Sequence, residues 1–210
     1  MDDLAQQRLD DFLNQVSDRT PTPGGGSVAA AAGALACALA RMVAAYSVSK
    51  KTDDATRERV QQAAGRLRTA DEILRALITQ DAAAYAAMTA NKPTGSEPPP
   101  NRDDTVMGAV AVPMEIAAVA TRALAAMDDF KALANRHLLC DLGIAAVLAE
   151  ATARAARYTV QVNVAELSDP ALRARLLGNI DAMIQRSTAH GDSIQTLVRD
   201  HLENRSGADR

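Results

Sequence analysis

The sequence predicts an all-α fold, a bundle of about six helices around a long alanine-rich central helix. Hydrophobic residues make up 48% of the 210 positions, yet aromatics supply only 2% and Trp is absent, so alanine must do much of the packing. Alanine has the highest helix propensity, and its small side chain lets helix backbones approach closely, which favours packed helices over a sheet. Apolar residues recur at helical spacing along the chain, and no segment alternates with period two.

The first helix is read from Leu9, Phe12, Leu13 and Val16, which share one face, and it ends before Thr20-Pro21-Thr22-Pro23. Gly24-Gly25-Gly26 then turns the chain into a second helix, with Ser27 placed as its N-cap. From Val28 to Ser49 that helix carries a single charge, Arg41. An alanine-dominated segment gains little in lipid and an arginine at its centre costs several kcal/mol there, so it reads as a buried helix of a globular domain and not a membrane span.

A third helix spans about 54–90 on a seam of Val60, Ala64, Leu67, Asp71, Leu74, Ile78, Asp81, Tyr85 and Met88. Residues 91–104 hold four of the eight prolines and read as an irregular loop. A fourth helix, about 105–130, contains Pro113, which should kink or split it because proline removes one backbone hydrogen bond. A fifth runs from about Asp141 to Ala165, and Ser168-Asp169-Pro170 opens a sixth that reaches about Glu203. The whole chain, 1–210, reads as one domain, with 1–8 and 204–210 frayed.

A formal net charge of -3 gives no basic footprint, so no nucleic-acid partner is expected and small-molecule chemistry is favoured. The polar, acidic start lacks a basic segment followed by an apolar run, and the expectation is a cytoplasmic protein without a membrane role. Cys37 and Cys140 lie far apart in apolar surroundings and read as buried reduced thiols. His137, His190 and His201 form no ligand spacing, so no metal is expected.

Chemistry concentrates at a few places. Pro23-Gly24-Gly25-Gly26-Ser27 opens a long helix, where unpaired amides and the positive dipole end suit a carboxylate or phosphate, although a plain turn with an N-cap has the same appearance. It lacks the lysine of a Walker A loop. Asp81 falls on the inward seam and must be paired, hydrogen-bonded or shifted toward a proton-transfer pKa. Asp71 shares the seam but adjoins Glu72 in a polar stretch, and solvent exposure is expected for it. Lys50-Lys51 sits where cations complement a helix C-terminus. Lys50 is about 35 Å along the helix from the glycines, so a shared site needs a kink or a second subunit. Asn135 and Asp141 flank the entry of the fifth helix, where Asp141 could be its N-cap, and Asn163 lies near the other end.

In series, these segments resemble the formiminotetrahydrofolate cyclodeaminase and methenyltetrahydrofolate cyclohydrolase family. The resemblance rests on TPTPGGGSVAAAAGALACALARMV at Thr20 to Val43, the Lys50-Lys51 pair, QDAAAY at Gln80 to Tyr85, Pro113, NRHLLCD at Asn135 to Asp141 and VNVAELSD at Val162 to Asp169. It implies a helical homodimer that takes a tetrahydrofolate derivative as substrate. Its site would be walled by Pro23, Gly24, Gly25, Gly26, Ser27, Asn135 and Asn163, with Asp81, Lys50 and Asp141 in catalytic roles. Members commonly follow the lysine pair with a further lysine and a tyrosine, where this chain has Thr52-Asp53. A chain of this length leaves no room for a formiminotransferase half, which leans the expectation to hydrolysis of 5,10-methenyltetrahydrofolate. The alternatives are the cyclodeaminase reaction, releasing ammonia, and a noncatalytic folate-binding helical dimer.

Overall fold

The computed structural model describes residues 3–91 and 101–208, with side chains placed as far as Asn204. Among the described residues there are six α-helices and no strand: α1 (Leu9–Ser17), α2 (Gly25–Tyr46), α3 (Asp54–Ala90), α4 (Arg102–Phe130), α5 (Leu139–Val164) and α6 (Pro170–Ala208). Helices α2 to α5 close a ring in which α2 and α4 each pack between α3 and α5, while α6 lies along the outside of α4 and α5. Consecutive helices are antiparallel, since Ser27 at the start of α2 meets Asp81 late in α3 and Ala109 early in α4 meets Asn163 at the end of α5. One end of the bundle therefore holds the start of α2 and the ends of α3 and α5, and the opposite end holds the turn after α2.

Alanine packing in α2 works as composition suggests. Its inner face carries Ala29, Ala30, Gly33, Ala36, Cys37, Ala40 and Ala44, all buried. A Cβ placed on Gly33 would lie 2.9 Å from the Thr152 methyl and 3.1 Å from Leu74 Cδ1, so α2 touches α5 and α3 at one point with no room for a side chain. Larger side chains fill the space beyond, with Leu67, Leu74, Ile116, Leu124, Met127, Phe130 and Leu142 fully buried. Both α2 and the α4 segment are long and apolar enough to cross a membrane by length and composition, but half of the α2 window is buried inside the bundle.

Several details differ from the sequence reading. The N-cap of α2 is Gly24, one turn earlier than Ser27, because Ser27 is drawn inside the first turn by partners on α3. Asp71 is 3% exposed, not solvated: Arg41 Nη1 reaches it at 2.8 Å and Arg75 Nε at 2.7 Å. The one charge of the alanine helix thus exists to neutralise a carboxylate on the seam of α3. Cys140 is exposed, whereas Cys37 is buried and its thiol is pushed up to about 12, first by desolvation and then by the nearby Asp71 charge.

Pro113 does not split α4, which runs unbroken through it and starts at Arg102, ahead of the expected 105. The N-cap of α5 is Leu138, so Asp141 lies within the first helical turn, where a negative charge still complements the dipole. The chain start is docked: Leu4 is buried in a 3-10 turn, Leu4–Gln6, and its N–H donates to Thr79 Oγ1 at 2.9 Å. Helix α6 continues to Ala208 where fraying from 204 was expected. Residues 92–100, most of the expected proline-rich loop, lie outside the described residues, as do 1, 2, 209 and 210.

The departure at Thr52-Asp53 has a local role. Asp53 caps α3 through Thr56 N–H at 2.9 Å, and Thr52 Oγ1 accepts from Ser49 N–H, also at 2.9 Å.

Filling the α2 contact gives a direct check on this packing. Gly33→Val should cost about 1–3 kcal/mol by overpacking, lowering the melting temperature by about 2–4 °C per kcal/mol in a chain of this size. A melt at or above the wild-type temperature would contradict the close approach.

Candidate active site

The site begins with a helix start that lacks a side-chain cap. Gly24 has no side chain to offer, and the first helical bond of α2 runs from Val28 N–H to the Gly24 carbonyl at 3.0 Å. The amides of Gly25, Gly26 and Ser27 precede that bond and need other partners. Asp81, most of the way along α3, supplies one. Its Oδ2 accepts the Ser27 N–H at 2.8 Å and lies 3.1 Å from Ser27 Oγ, while the same hydroxyl donates to the Ile78 carbonyl at 2.8 Å. A carboxylate from another helix thus caps α2 where the dipole favours negative charge.

This contact explains one glycine directly. A Cβ on Gly26 would fall 2.0 Å from Asp81 Oδ1 and 2.4 Å from its Cγ, so any side chain there would expel the carboxylate. Gly25 has open space around it and faces the cleft. The glycine run therefore serves two purposes, admission of Asp81 from behind and an open backbone wall in front. Pro23 and Ser27 are buried behind the wall; Pro21 and Thr22 line the cleft in their place.

The cleft has a volume of about 320 Å³, at the small end of the range for ligand sites. Asp81 projects into it from α3 with Tyr85 one turn later, Ala109 forms part of the wall from α4, and Tyr158, Val162 and Asn163 close it from α5. Asp81 is 9% exposed and Oδ1 accepts no hydrogen bond among the described residues. Its carboxyl is pushed above the ordinary value by desolvation, only partly offset by the two Ser27 hydrogen bonds. Two of the three tyrosines in this aromatic-poor chain stand at the cleft, and Tyr158 is 70% exposed, an apolar ring face left open to a planar ligand.

Asn163 is 6% exposed, and its Nδ2 donates to the Ala109 carbonyl at 2.7 Å.

Sequence reasoning placed ten residues at one site; a single chain divides them between two ends of the bundle. Gly24, Gly25, Gly26, Asp81 and Asn163 meet at the cleft. Lys50, Asn135 and Asp141 do not. Asn135 binds the end of α2, with its N–H donating to Ser47 Oγ at 2.9 Å and its Nδ2 to the Tyr46 carbonyl at 3.1 Å. Lys50 is exposed in the turn after Tyr46. The 22 residues of α2 separate these groups from the glycines by about 33 Å. Tyr85, read only as part of the α3 seam, and Tyr158, Thr159, Val162, Ala109, Pro21 and Thr22 were missed. Tyr158 and Val162 carry the one available signal, a pair four apart ending beside Asn163 on the outer face of α5.

The sequence model of the formiminotransferase-cyclodeaminase family matches residues 8–182. The chain belongs to that family. Relatives include the formimidoyltransferase-cyclodeaminases of Rattus norvegicus and Mus musculus, each 28% identical over 96% of this chain, and the chain spans 38% of the length of those relatives. The methenyltetrahydrofolate cyclohydrolase of Methylorubrum extorquens is 24% identical over 92% of this chain and 96% of its own. The crystal structure of formiminotetrahydrofolate cyclodeaminase from Thermotoga maritima superposes with a TM-score of 0.87 at 24% identity, covering 94% of this chain and 98% of that one. That likeness establishes the cyclodeaminase-type helical fold.

The raised Asp81 pKa has a consequence for stability. The folded state holds this proton more tightly than the unfolded chain, so folding takes up protons between the ordinary value of 3.8 and the raised one. The Asp81 contribution to stability therefore falls as pH rises through that window, and its full cost is present above it. Denaturant titrations across pH should show this slope in the wild type and its loss in Asp81→Asn; an unchanged slope would place the titration elsewhere.

Proposed function

We propose that this protein is a folate-dependent one-carbon enzyme that hydrolyses 5,10-methenyltetrahydrofolate to 10-formyltetrahydrofolate. The observation that carries this reading is the Asp81 carboxylate, buried, fixed through Oδ2 by the start of α2, with Oδ1 accepting no hydrogen bond among the described residues, in a side chain that lines a tyrosine-edged cleft. The methenyl bridge is a cationic amidinium carbon held between two ring nitrogens. A buried carboxylate stabilises that cation and accepts a proton from the water that attacks it. The tetrahedral carbon then collapses by breaking its bond to N5, which takes a proton, and the carbon remains on N10 as formyl. The carbon carries its own positive charge, so the reaction as drawn calls for no metal. The cyclohydrolase of M. extorquens, matched over 96% of its length, supports this choice.

The cyclodeaminase reaction is the second reading, favoured by the higher identity to the mammalian relatives. There N10 attacks a formimino carbon and ammonia leaves, again through a tetrahedral carbon between two folate nitrogens. Side-by-side assays with methenyl and formimino tetrahydrofolate decide between them: absorbance loss of the methenyl chromophore above the uncatalysed rate supports hydrolysis, and ammonia release from the formimino substrate supports the other. Asp81→Asn should lower kcat about 10²- to 10⁴-fold. In the wild type the acidic limb of kcat/KM should lie above the ordinary carboxylate value, because activity requires the ionised form of a group whose pKa is raised. Unchanged turnover in Asp81→Asn would remove this residue from the mechanism.

The reading includes a homodimer that completes the site. The outer face of α2 leaves Val28, Leu35 and Met42 exposed at heptad spacing, with Leu9 and Leu13 of α1 beside its glycine end. This stripe runs the whole length of the helix between the two groups of site residues. A two-fold axis across it sets the glycine end of one copy against the Lys50 end of its partner. Lys50 would then stand near the departing nitrogen, with Asn135 and Asp141 completing the wall. Subunit exchange between inactive Asp81→Asn and Lys50→Ala proteins should restore about a quarter of wild-type turnover, since half of the random dimers carry one intact composite site. No recovery after confirmed exchange would confine each site to a single chain.

A further inference from the structure

Pro113 and Asn163 form a unit that no motif explains separately. In an α-helix the carbonyl of Ala109 accepts from the N–H four residues later, but that residue is Pro113, which has none. The orphaned carbonyl is buried, and a carbonyl in that state costs free energy unless another donor reaches it. The donor is Asn163 Nδ2 on α5, at 2.7 Å. A carbonyl oxygen can only accept, so the side of the amide facing Ala109 must be its NH₂. The amide orientation of Asn163 is thereby fixed by the chemistry of its partner. Its Oδ1 accepts no hydrogen bond among the described residues, in a side chain that lines the cleft and is more than nine-tenths buried.

We propose that Pro113 and Asn163 together present a fixed hydrogen-bond acceptor that selects ligands carrying an N–H donor on a planar ring system. The inference rests on the folate reading and deepens it, since a reduced pterin offers such donors at its 2-amino group and at N8–H. Asn163 is a specificity-determining residue, and Pro113 a positioning residue that acts through it. With a proline in α4 the Ala109 carbonyl belongs to Asn163. With any other residue at 113 the helix N–H would also reach that carbonyl, and the Asn163 contact would no longer be the one that satisfies it, which weakens its hold on the amide. The proline thus trades one helical bond for a defined orientation across the bundle.

The test measures dissociation constants by calorimetry for tetrahydrofolate, a 2-desamino analogue and an 8-deaza analogue. The proteins are wild type, Asn163→Ala, Pro113→Ala and the double variant. Pro113→Ala restores a helical hydrogen bond and is expected to keep the fold. The wild type should lose about tenfold in affinity for whichever analogue lacks the donor that Asn163 reads. Asn163→Ala should lose that discrimination, and Pro113→Ala should weaken it while having no further effect once Asn163 is gone. Discrimination by Asn163→Ala equal to that of the wild type, or additive effects of the two substitutions, would overturn the proposal while leaving the folate reading intact. Absence of folate binding to the wild type would overturn the folate reading and this proposal with it.

Discussion

The arrangement of the cleft depends on one contact between a carboxylate and a helix start. Asp81 sits where the dipole of α2 and the Ser27 amide favour its charge, and where burial disfavours it. Burial wins, because the two Ser27 hydrogen bonds occupy a single oxygen and leave the other without a hydrogen bond among the described residues. The outcome is a carboxyl held rigidly and kept more basic than one in water. A surface aspartate would be free of the first constraint and lack the second property. Both follow from the absence of one carbon atom at Gly26, since an alanine there would occupy the position of Oδ1.

The helices were legible because their apolar residues repeat locally, and the register of α3 was read well enough to place Asp81 inward. What escaped the sequence is set by pairs distant along the chain. Asp71 looked solvated beside Glu72, yet Arg41 reaches it from another helix, and no pattern within α3 announces that partner. Ser27 looked like an N-cap because serine before an apolar run commonly is one; its hydroxyl goes to Ile78 and Asp81, and the cap shifts back to Gly24. Tyr158 and Val162 gave little warning, since exposed apolar residues on an outer helix face are common and acquire meaning only when a cleft is found beneath them.

The separation of the site residues was also foreseeable in outline. A straight helix of 22 residues cannot bring its two ends together, so the glycine run and the lysine pair must serve different places in one chain or one place in two chains. The exposed stripe of Val28, Leu35 and Met42 on that same helix favours the second arrangement. A helix that is apolar on its inner and outer faces alike is suited to sitting between two layers of protein.

Under the proposed reading, the two reactions named among the relatives place the same demand on this cleft and differ in what leaves. Each passes through a tetrahedral carbon between two nitrogens, so a fixed base near that carbon serves both, and Asp81 alone cannot select between them. Selection must come from control of water and from the acid that protonates the leaving nitrogen. Among the described residues, the single-chain cleft is lined by no lysine, arginine or histidine, and its hydroxyl and amide groups are weak acids at neutral pH. If the acid is the Lys50 ammonium of a second copy, its reach is set by the turn that follows α2. That turn is shaped by Thr52, Asp53 and Arg57, which bind its backbone and the start of α3. On that reading, Thr52-Asp53, where the family resemblance leads one to expect a lysine and a tyrosine, would bear on which nitrogen is protonated, through the position of Lys50, more than on the Asp81 carboxylate.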